Sequence, residues 1–135
     1  MTAVTTRPLA TSKDSLLRFA MRFDATLTGL FGLVVAVAAE PFAALTGLTP
    51  AQEYVMGAAF VLYGAVVYGM AALPNLRGVG IAVVVANVIC TVAAVAVVVA
   101  GELSLTGVGV VAMLGTGLYT AVFAGLQYYG VRCLA

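Results

Sequence analysis

The chain has 135 residues, of which 64% are hydrophobic and 8% are charged, and its formal net charge at pH 7 is +1. Soluble domains carry about 25% charged residues, so this composition excludes a water-soluble fold and indicates a protein that lies in the lipid bilayer. The chain has no histidine, which is the commonest metal ligand and general base, and no basic run that would hold a nucleic acid. We therefore expect no metal, no cofactor and no nucleic-acid partner.

Residues 1–10 are predicted to form a short tail, and residues 11–135 a single transmembrane domain. That domain contains four long apolar runs, and about 20 apolar residues are enough to cross a bilayer as a helix. The sequence therefore predicts an all-α fold, a polytopic membrane four-helix bundle. The predicted helices cover about residues 12–39, 50–73, 78–100 and 106–130.

The first helix has a recognisable start and end. The residues from Thr11 to Asp14 fit a capping box, in which a hydroxyl and a carboxylate satisfy free N–H groups at a helix start. Glu40 and Pro41 are predicted to end this helix, since proline interrupts the helical hydrogen bonds. Residues 42–48 are too few to span a membrane, so we place them on its outer surface.

The second helix has the strongest start pattern in the chain. Thr49 is a favourable N-cap, Pro50 occupies the first helical position, and Gln52 completes a second capping box. A turn at Pro74 precedes the third helix, and residues 101–107 form the last link. Links this short place consecutive helices side by side, so we expect an up-down antiparallel topology.

Basic and acidic residues separate onto opposite sides once the four runs are interpreted as spans. The links on one side carry Glu40, Glu53 and Glu102 and no basic residue. Because Lys and Arg in short loops are retained in the cytoplasm, this asymmetry predicts that both termini are cytoplasmic, N-in and C-in. We expect a multi-pass protein of a cytoplasmic membrane. The basic residues on the other side are Arg7, Lys13, Arg18, Arg22, Arg77 and Arg132.

The first run also resembles a secretory signal, because basic residues precede it and small residues from Val35 to Ala39 resemble a cleavage site. Asp24 opposes this interpretation, since it would lie inside the apolar part of the signal. We therefore expect the first run to remain a membrane span.

Rows of small residues predict how the helices pack, because helices in lipid associate through close approach rather than through a hydrophobic drive. One such row is Gly117, Ala121 and Gly125 in the fourth helix, and Gly32 belongs to a similar row in the first. We interpret these rows as packing faces within the bundle. The alternative is that the row of the fourth helix forms the seam of a homo-oligomer.

Asp24 is predicted to lie inside the first span, where a carboxylate costs on the order of 3 kcal/mol. It continues the row that contains Gly32, so it should face the bundle interior. At about 1.5 Å rise per residue, Tyr63, Asn87 and Tyr119 reach a similar depth. We therefore predict that these three side chains and Asp24 form an intramembrane polar site.

Arg22, Tyr68 and Gln127 are predicted to line a cytoplasmic mouth below this site. Two interpretations of the site remain open. In the structural one, Asp24 is protonated or hydrogen-bonded, and the cluster sets the helix register. In the functional one, Asp24 is a proton or ligand site, as ionisable residues within a membrane often are.

Two stretches resemble small bacterial four-helix membrane proteins of the DoxX-like kind: Leu17 to Asp24 with its continuation to Gly32, and Gly125 to Tyr128. This resemblance implies an accessory membrane subunit, in some members associated with redox or quinone chemistry, although no residue here can be assigned such chemistry. Small multidrug transporters are similar in helix number and in having an acid in the first helix. This chain departs from them in having no Trp, a longer first loop and no family signature in the third helix.

These features predict a protein without catalytic activity, an accessory or scaffold subunit of a membrane assembly. Its expected partners are other membrane subunits or a second copy of the chain. The alternative is a small homodimeric proton-coupled transporter that uses Asp24. An enzyme is disfavoured because the sequence contains no recognisable nucleophile–base pair or metal cluster.

Overall fold

The structure is a computed structural model that describes residues 7–134, except for the side chains of residues 7–13. All regular secondary structure in this part of the chain is helical, which confirms the predicted all-α fold. The helices are α1 (Arg7–Val37), α2 (Ala39–Thr46), α3 (Pro50–Met70), α4 (Leu76–Ala100) and α5 (Gly107–Cys133).

Four of these helices are long and apolar enough to cross a membrane, and α2 is the exception. The spans cover Asp14–Val37 within α1 and the full lengths of α3, α4 and α5. The 25 residues of α4 form a helix about 37 Å long, which exceeds the roughly 30 Å of a hydrocarbon layer. On length and composition, the chain is a multi-pass membrane protein.

The start of α1 differs from the predicted one. The helix begins at Arg7 rather than near residue 12, and Pro8 lies in its first turn. A proline is tolerated there because the first N–H groups of a helix have no partner within the helix. The predicted capping box at Thr11 therefore lies inside α1, and its side chains up to residue 13 lie outside the described part of the chain. The first six residues of the predicted tail also lie outside it.

Pro41 was predicted to end the first helix, but the break in this helical region lies at Ala38, before Pro41. Proline has no N–H group to donate to the carbonyl of Val37, four residues earlier, and α1 ends at Val37. The backbone leaves the helical conformation at Ala38, with φ −107° and ψ 37°, and resumes as α2. Pro41 then lies in the first turn of α2. Residues 42–48, predicted as a surface segment, are therefore mostly helical.

The capping box predicted for the second spanning helix is present at the start of α3. The hydroxyl of Thr49 accepts a hydrogen bond from the Gln52 N–H at 3.1 Å. The N–H of Thr49 donates to the Gln52 side-chain oxygen at 2.9 Å. Every other boundary of the spanning helices lies within three residues of its predicted position.

The short helix α2 is fastened to the start of α5. Thr106, the N-cap of α5, donates its hydroxyl to the Leu45 carbonyl and its N–H to the Thr46 carbonyl, the latter at 2.9 Å. Gly47 follows α2 with a φ of 87°, and a Cβ atom there would clash with the Ser104 carbonyl. Glycine satisfies both constraints, so the two links can lie in direct contact.

The spanning helices differ in how extensively they contact one another. α1 packs along α3, and α4 packs along α5, while a shorter contact between α1 and α5 joins the two pairs. Helices α3 and α4 touch only briefly, so the expectation that all consecutive helices are neighbours fails for this pair. The reason is that α1 occupies the space between them. Leu17 and Met21 of α1 are fully buried in a core that includes Val67 of α3 and Val83 of α4.

The two ends of the bundle differ in charge. Arg18 donates to the carbonyls of Ala71 and Leu73 in the link between α3 and α4, at 2.6 and 3.2 Å. Arg77 and Arg132 lie at this same end, beside each other at the start of α4 and the end of α5. We call it the basic end. The opposite end, formed by α2 and the link between α4 and α5, is the acidic end.

The small-residue row of α5 is not a single packing face. Gly117 is buried close to Ala94 of α4, but Ala121 is exposed and Gly125 faces open space. In a row at i, i+4 and i+8, each residue is rotated by about 40° around the helix axis from the one before. Such a row therefore turns away from a straight neighbouring helix. Buried residues of α5 instead follow spacings of three and four, and include Gly117, Thr120, Ala124, Gln127 and Val131.

Glycines bring α1 and α3 into backbone contact. A Cβ atom on Gly32 would lie 2.5 Å from the Cβ atom of Phe60. Cβ atoms on Gly57 and Gly64 would each lie 2.6 Å from a carbonyl oxygen of α1. Gly32 was predicted as a packing residue, and here it packs on α3. Gly57 and Gly64 were missed because their seven-residue spacing does not form an i, i+4 row.

Candidate functional site

Asp24 lies in the membrane-spanning part of α1 and is fully buried. Within the described residues the structure contains one salt bridge, between Asp14 and Arg18. No described basic side chain therefore neutralises Asp24. A buried carboxylate without a counter-charge has to be stabilised by hydrogen bonds.

Hydroxyl groups bind one carboxylate oxygen of Asp24. Thr28, one turn later in α1, donates to Oδ1 at 3.0 Å, and the hydroxyl of Tyr119 in α5 lies 3.0 Å from the same atom. The Tyr119 hydroxyl also lies 3.1 Å from that of Thr28 and 3.2 Å from the Asp24 backbone carbonyl. A tyrosine hydroxyl has one proton, so Tyr119 donates to one of these oxygens at a time.

Three other helices supply the donors for the second oxygen. Oδ2 accepts hydrogen bonds from the Tyr63 hydroxyl at 2.7 Å, the Gln127 amide at 2.9 Å and the Asn87 amide at 3.2 Å. The Asn87 amide also lies 2.8 Å from the Gln127 side-chain oxygen. These residues belong to α3, α5 and α4, so all four spans contribute to one cluster.

The structure brings the four residues of the predicted polar site into direct hydrogen bonding. We call the whole cluster the Asp24 network. Every partner of the carboxylate offers an N–H or O–H group and is itself uncharged, so both oxygens of Asp24 act as hydrogen-bond acceptors. No buried polar side-chain atom among the described residues lacks a hydrogen-bond partner. The members are Asp24, Thr28, Tyr63, Asn87, Tyr119 and Gln127.

The predicted mouth is not formed by its three residues. Gln127 is fully buried in the Asp24 network, because it lies on the same buried stripe of α5 as Thr120. Arg22 and Tyr68 are both exposed, and the Arg22 guanidinium carbon lies 5.4 Å from the centre of the Tyr68 ring. These two residues form a cation–π pair on the surface between α1 and α3.

The two sides of the Asp24 network differ in packing. Toward the basic end, Leu17 and Met21 are fully buried and close the interior. Toward the acidic end lies a cavity of about 460 Å³ between α1, α2, α3 and α5. Thr28 and Tyr119 line this cavity and also contact Asp24, so the cavity ends one hydrogen bond from the carboxylate.

The cavity is mainly apolar and opens sideways. Leu27 and Phe31 of α1 are 40% and 49% exposed, and Gly115 on the facing side of α5 is also exposed. Since these residues lie in membrane-spanning segments, the opening faces lipid chains. The apolar lining includes Leu27, Phe31, Val35, Met56, Phe60 and Met113.

Glu53 lines the same cavity and is 1% exposed. Its Oε1 atom accepts a hydrogen bond from the Thr46 hydroxyl, which in turn accepts one from the Leu48 N–H at 3.2 Å. None of the described residues that line the cavity is basic. The sequence pattern placed Glu53 in a surface link, and its burial was missed because α2, which carries Thr46, was not predicted.

The described residues contain no group of three or more His, Cys, Asp or Glu side chains that could hold a metal ion. Cys90 and Cys133 are free thiols, and both are exposed. No protein-family model, curated protein or solved structure matches this chain. The function is therefore inferred from the geometry of the Asp24 network and the cavity beside it.

Proposed function

We propose that this chain is a membrane protein without catalytic activity that works as an accessory or scaffold subunit of a membrane assembly. The supporting observation is the Asp24 network, to which each of the four spans contributes at least one side chain. Its carboxylate is enclosed and bonded on both oxygens. Fully satisfied buried networks rigidify a bundle and define its register, and both properties suit a scaffold.

We place the protein in a bacterial cytoplasmic membrane with both termini in the cytoplasm. The charge distribution supports this orientation, since Arg18, Arg77 and Arg132 lie at one end and Glu53 and Glu102 belong to the other. The resemblance to DoxX-like proteins supports the role of a small accessory subunit.

The test is to extract the tagged protein gently from its native membrane and measure the mass and composition of what is purified. We expect other membrane chains to co-purify in a fixed ratio. The control is an unrelated four-helix membrane protein that carries the same tag and is extracted in parallel. Recovery of this chain alone, as a monomer or homodimer, would overturn the scaffold proposal.

A small homodimeric proton-coupled transporter is the second candidate, and the cavity favours it. Thr28 and Tyr119 form the inner end of the cavity and both contact Asp24. A molecule in the cavity would therefore lie one side chain away from a group that can bind a proton.

Transport is tested with the purified protein in liposomes that contain a pH-sensitive dye. We expect proton uptake under an imposed membrane potential, and its loss in Asp24→Asn. The matched control is Glu40→Gln, which removes an exposed carboxylate in α2. Equal uptake by the wild type and Asp24→Asn would exclude this second candidate.

A further inference from the structure

Only one of the two carboxylate oxygens of Glu53 receives a hydrogen bond in the apolar cavity. Oε1 of Glu53 is bound by Thr46, whereas Oε2 has no hydrogen-bond partner among the described residues. Because no fully enclosed polar side-chain atom in those residues lacks a partner, Oε2 borders the open space of the cavity. A carboxylate in such surroundings is stabilised by a cation that donates a hydrogen bond.

The described part of the chain supplies no cation at this position. Glu53 lies in the first turn of α3, and the basic end is about 25 Å away along that helix. The basic side chains that the structure describes lie in the first turns of the α1 span or at the basic end, and none of them lines the cavity. They are Arg18, Arg22, Arg77 and Arg132. A ligand would therefore have to bring the positive charge.

The rest of the cavity suits an apolar body attached to that charge. Met56 and Phe60 follow Glu53 by three and seven residues, and all three line the cavity from α3. The Phe31 ring lies 6.3 Å from the Phe60 ring and, edge-on, 6.3 Å from the Phe42 ring of α2. Aromatic rings attract ammonium groups through their faces and pack against hydrocarbon chains.

We propose that this cavity binds a lipophilic protonated amine, which enters from the bilayer between α1 and α5. The ammonium group donates to Oε2 of Glu53, and the apolar body lies along Phe31 and Phe60 toward Tyr119. The volume of about 460 Å³ falls within the range of small-molecule sites, about 300–1,000 Å³. This binding goes beyond the proposed function, since it requires neither a partner subunit nor transport.

Head-group chemistry distinguishes this proposal from simple occupancy by a lipid chain. The experiment measures binding of tritiated dodecylamine to the purified protein in phosphatidylcholine nanodiscs, with the signal of empty nanodiscs subtracted. Dodecanol and dodecanoate, which have the same chain length, serve as competitors. We expect both to compete at least tenfold more weakly than unlabelled dodecylamine, because neither places a cation beside Glu53. Equal competition by dodecanol would show a site for neutral amphiphiles and overturn the proposal.

Two substitutions locate the bound amine. Glu53→Gln keeps an oxygen that can accept the Thr46 bond but removes the charge, and we expect at least tenfold weaker binding. Gly115→Leu places a side chain in the open space at the side opening, and we expect it to weaken binding as well. The matched control is Gly125→Leu, which adds the same side chain to open space on α5 away from the cavity and should bind like the wild type.

Wild-type affinity in both Glu53→Gln and Gly115→Leu would overturn the proposal. If Glu53→Gln does not fold, Gly115→Leu and the competitor series decide the question. Because binding is measured on the isolated chain, loss of the amine site leaves the scaffold proposal standing. Conversely, absence of partner subunits after extraction does not change the binding result.

Discussion

The Asn87 side-chain amide lies 3.1 Å from the Tyr63 hydroxyl, and this contact joins α4 to α3 inside the bundle. The two helices otherwise touch only briefly. Both side chains also donate to Oδ2 of Asp24, as does Gln127 of α5, so all four spanning helices meet at one oxygen atom. The Asp24 network therefore fixes the relative position of two helices that have little apolar contact of their own.

Substitutions of Asp24 should separate its charge from its hydrogen bonds. In Asp24→Asn, the amide oxygen can still accept from Asn87 and Gln127, and the hydroxyls of Thr28 and Tyr119 can rotate to accept from the new N–H₂ group. We expect a loss of about 1 kcal/mol in the free energy of unfolding. Asp24→Leu leaves the buried Gln127 amide and the Tyr63 hydroxyl without their acceptor and should cost about 2–5 kcal/mol. Reversible unfolding in mixed micelles measures both values, and wild-type stability of Asp24→Leu would refute a structural role for the network.

Tyr63→Phe should weaken the junction between α3 and α4. The substitution removes a donor to Asp24 and an acceptor for Asn87 at nearly constant volume, so we expect a loss of about 1–3 kcal/mol. Tyr54→Phe is the matched control, because Tyr54 lies on the same helix and is 58% exposed. Its effect should stay within about 0.5 kcal/mol. Equal stability of the two variants in the same micelle assay would contradict this expectation.

Adding one methyl group should distinguish the two faces of α3. A Cβ atom on Gly57 would lie 2.6 Å from the Gly32 carbonyl, so Gly57→Ala forces α1 and α3 apart and should cost about 1–3 kcal/mol. Gly69 has no atom within 4 Å of the corresponding position, and Gly69→Ala should leave stability unchanged or raise it by up to about 1 kcal/mol. Thermal unfolding of the two variants side by side tests the difference. A tolerated Gly57→Ala would show that these backbones are not in close contact.

Arg18 should protect the link between α3 and α4. Its guanidinium binds the carbonyls of Ala71 and Leu73, so Arg18→Gln leaves residues 71–75 less constrained. We expect faster cleavage of this link by a protease added to detergent-solubilised protein. Arg132→Gln serves as the control, since Arg132 is exposed at the same end. Identical cleavage rates for the two variants would argue that Arg18 does not hold the link.

The proposed orientation predicts the accessibility of Cys133. In a Cys90→Ala background, a membrane-impermeant maleimide should label Cys133 only after the cells are permeabilised, since the basic end faces the cytoplasm. A second protein without native cysteines, carrying Ser104→Cys in the exposed link at the acidic end, should be labelled in intact cells. The reverse pattern would show that the topology is inverted.

The level of the polar residues along their helices was predictable from the sequence, but the rotation of α5 about its axis was not. Asp24 stands out because a carboxylate within a span is costly, and the constant rise of a helix places Tyr63, Asn87 and Tyr119 at its level. The sequence pattern assigned Gln127 to a mouth because it lies closer to the helix end. Its actual position in the Asp24 network depends on which stripe of α5 is buried. That stripe is decided by contacts with α1 and α4, which single-helix patterns do not encode.

The cavity and its carboxylate were not predictable for a related reason. Glu53 follows a strong helix-start pattern, and acidic residues are favourable at a helix N-terminus. The local sequence therefore predicts a surface position for Glu53. Its burial depends on Thr46, hence on α2, and Pro41 was interpreted as the end of a helix rather than as part of a new one. Cavities between helices arise from tertiary packing, so no local pattern marks them.

The Asp24 network draws its members from both ends of the chain, and this has a consequence for biosynthesis. Gln127 follows Asp24 by 103 residues, so the carboxylate enters the membrane long before its last donors are translated. Until α5 is inserted, Oδ1 lacks the Tyr119 hydroxyl and Oδ2 lacks the Gln127 amide. A chain interrupted before α5 therefore retains an under-bonded acid in the bilayer, which distinguishes a fragment from the finished protein.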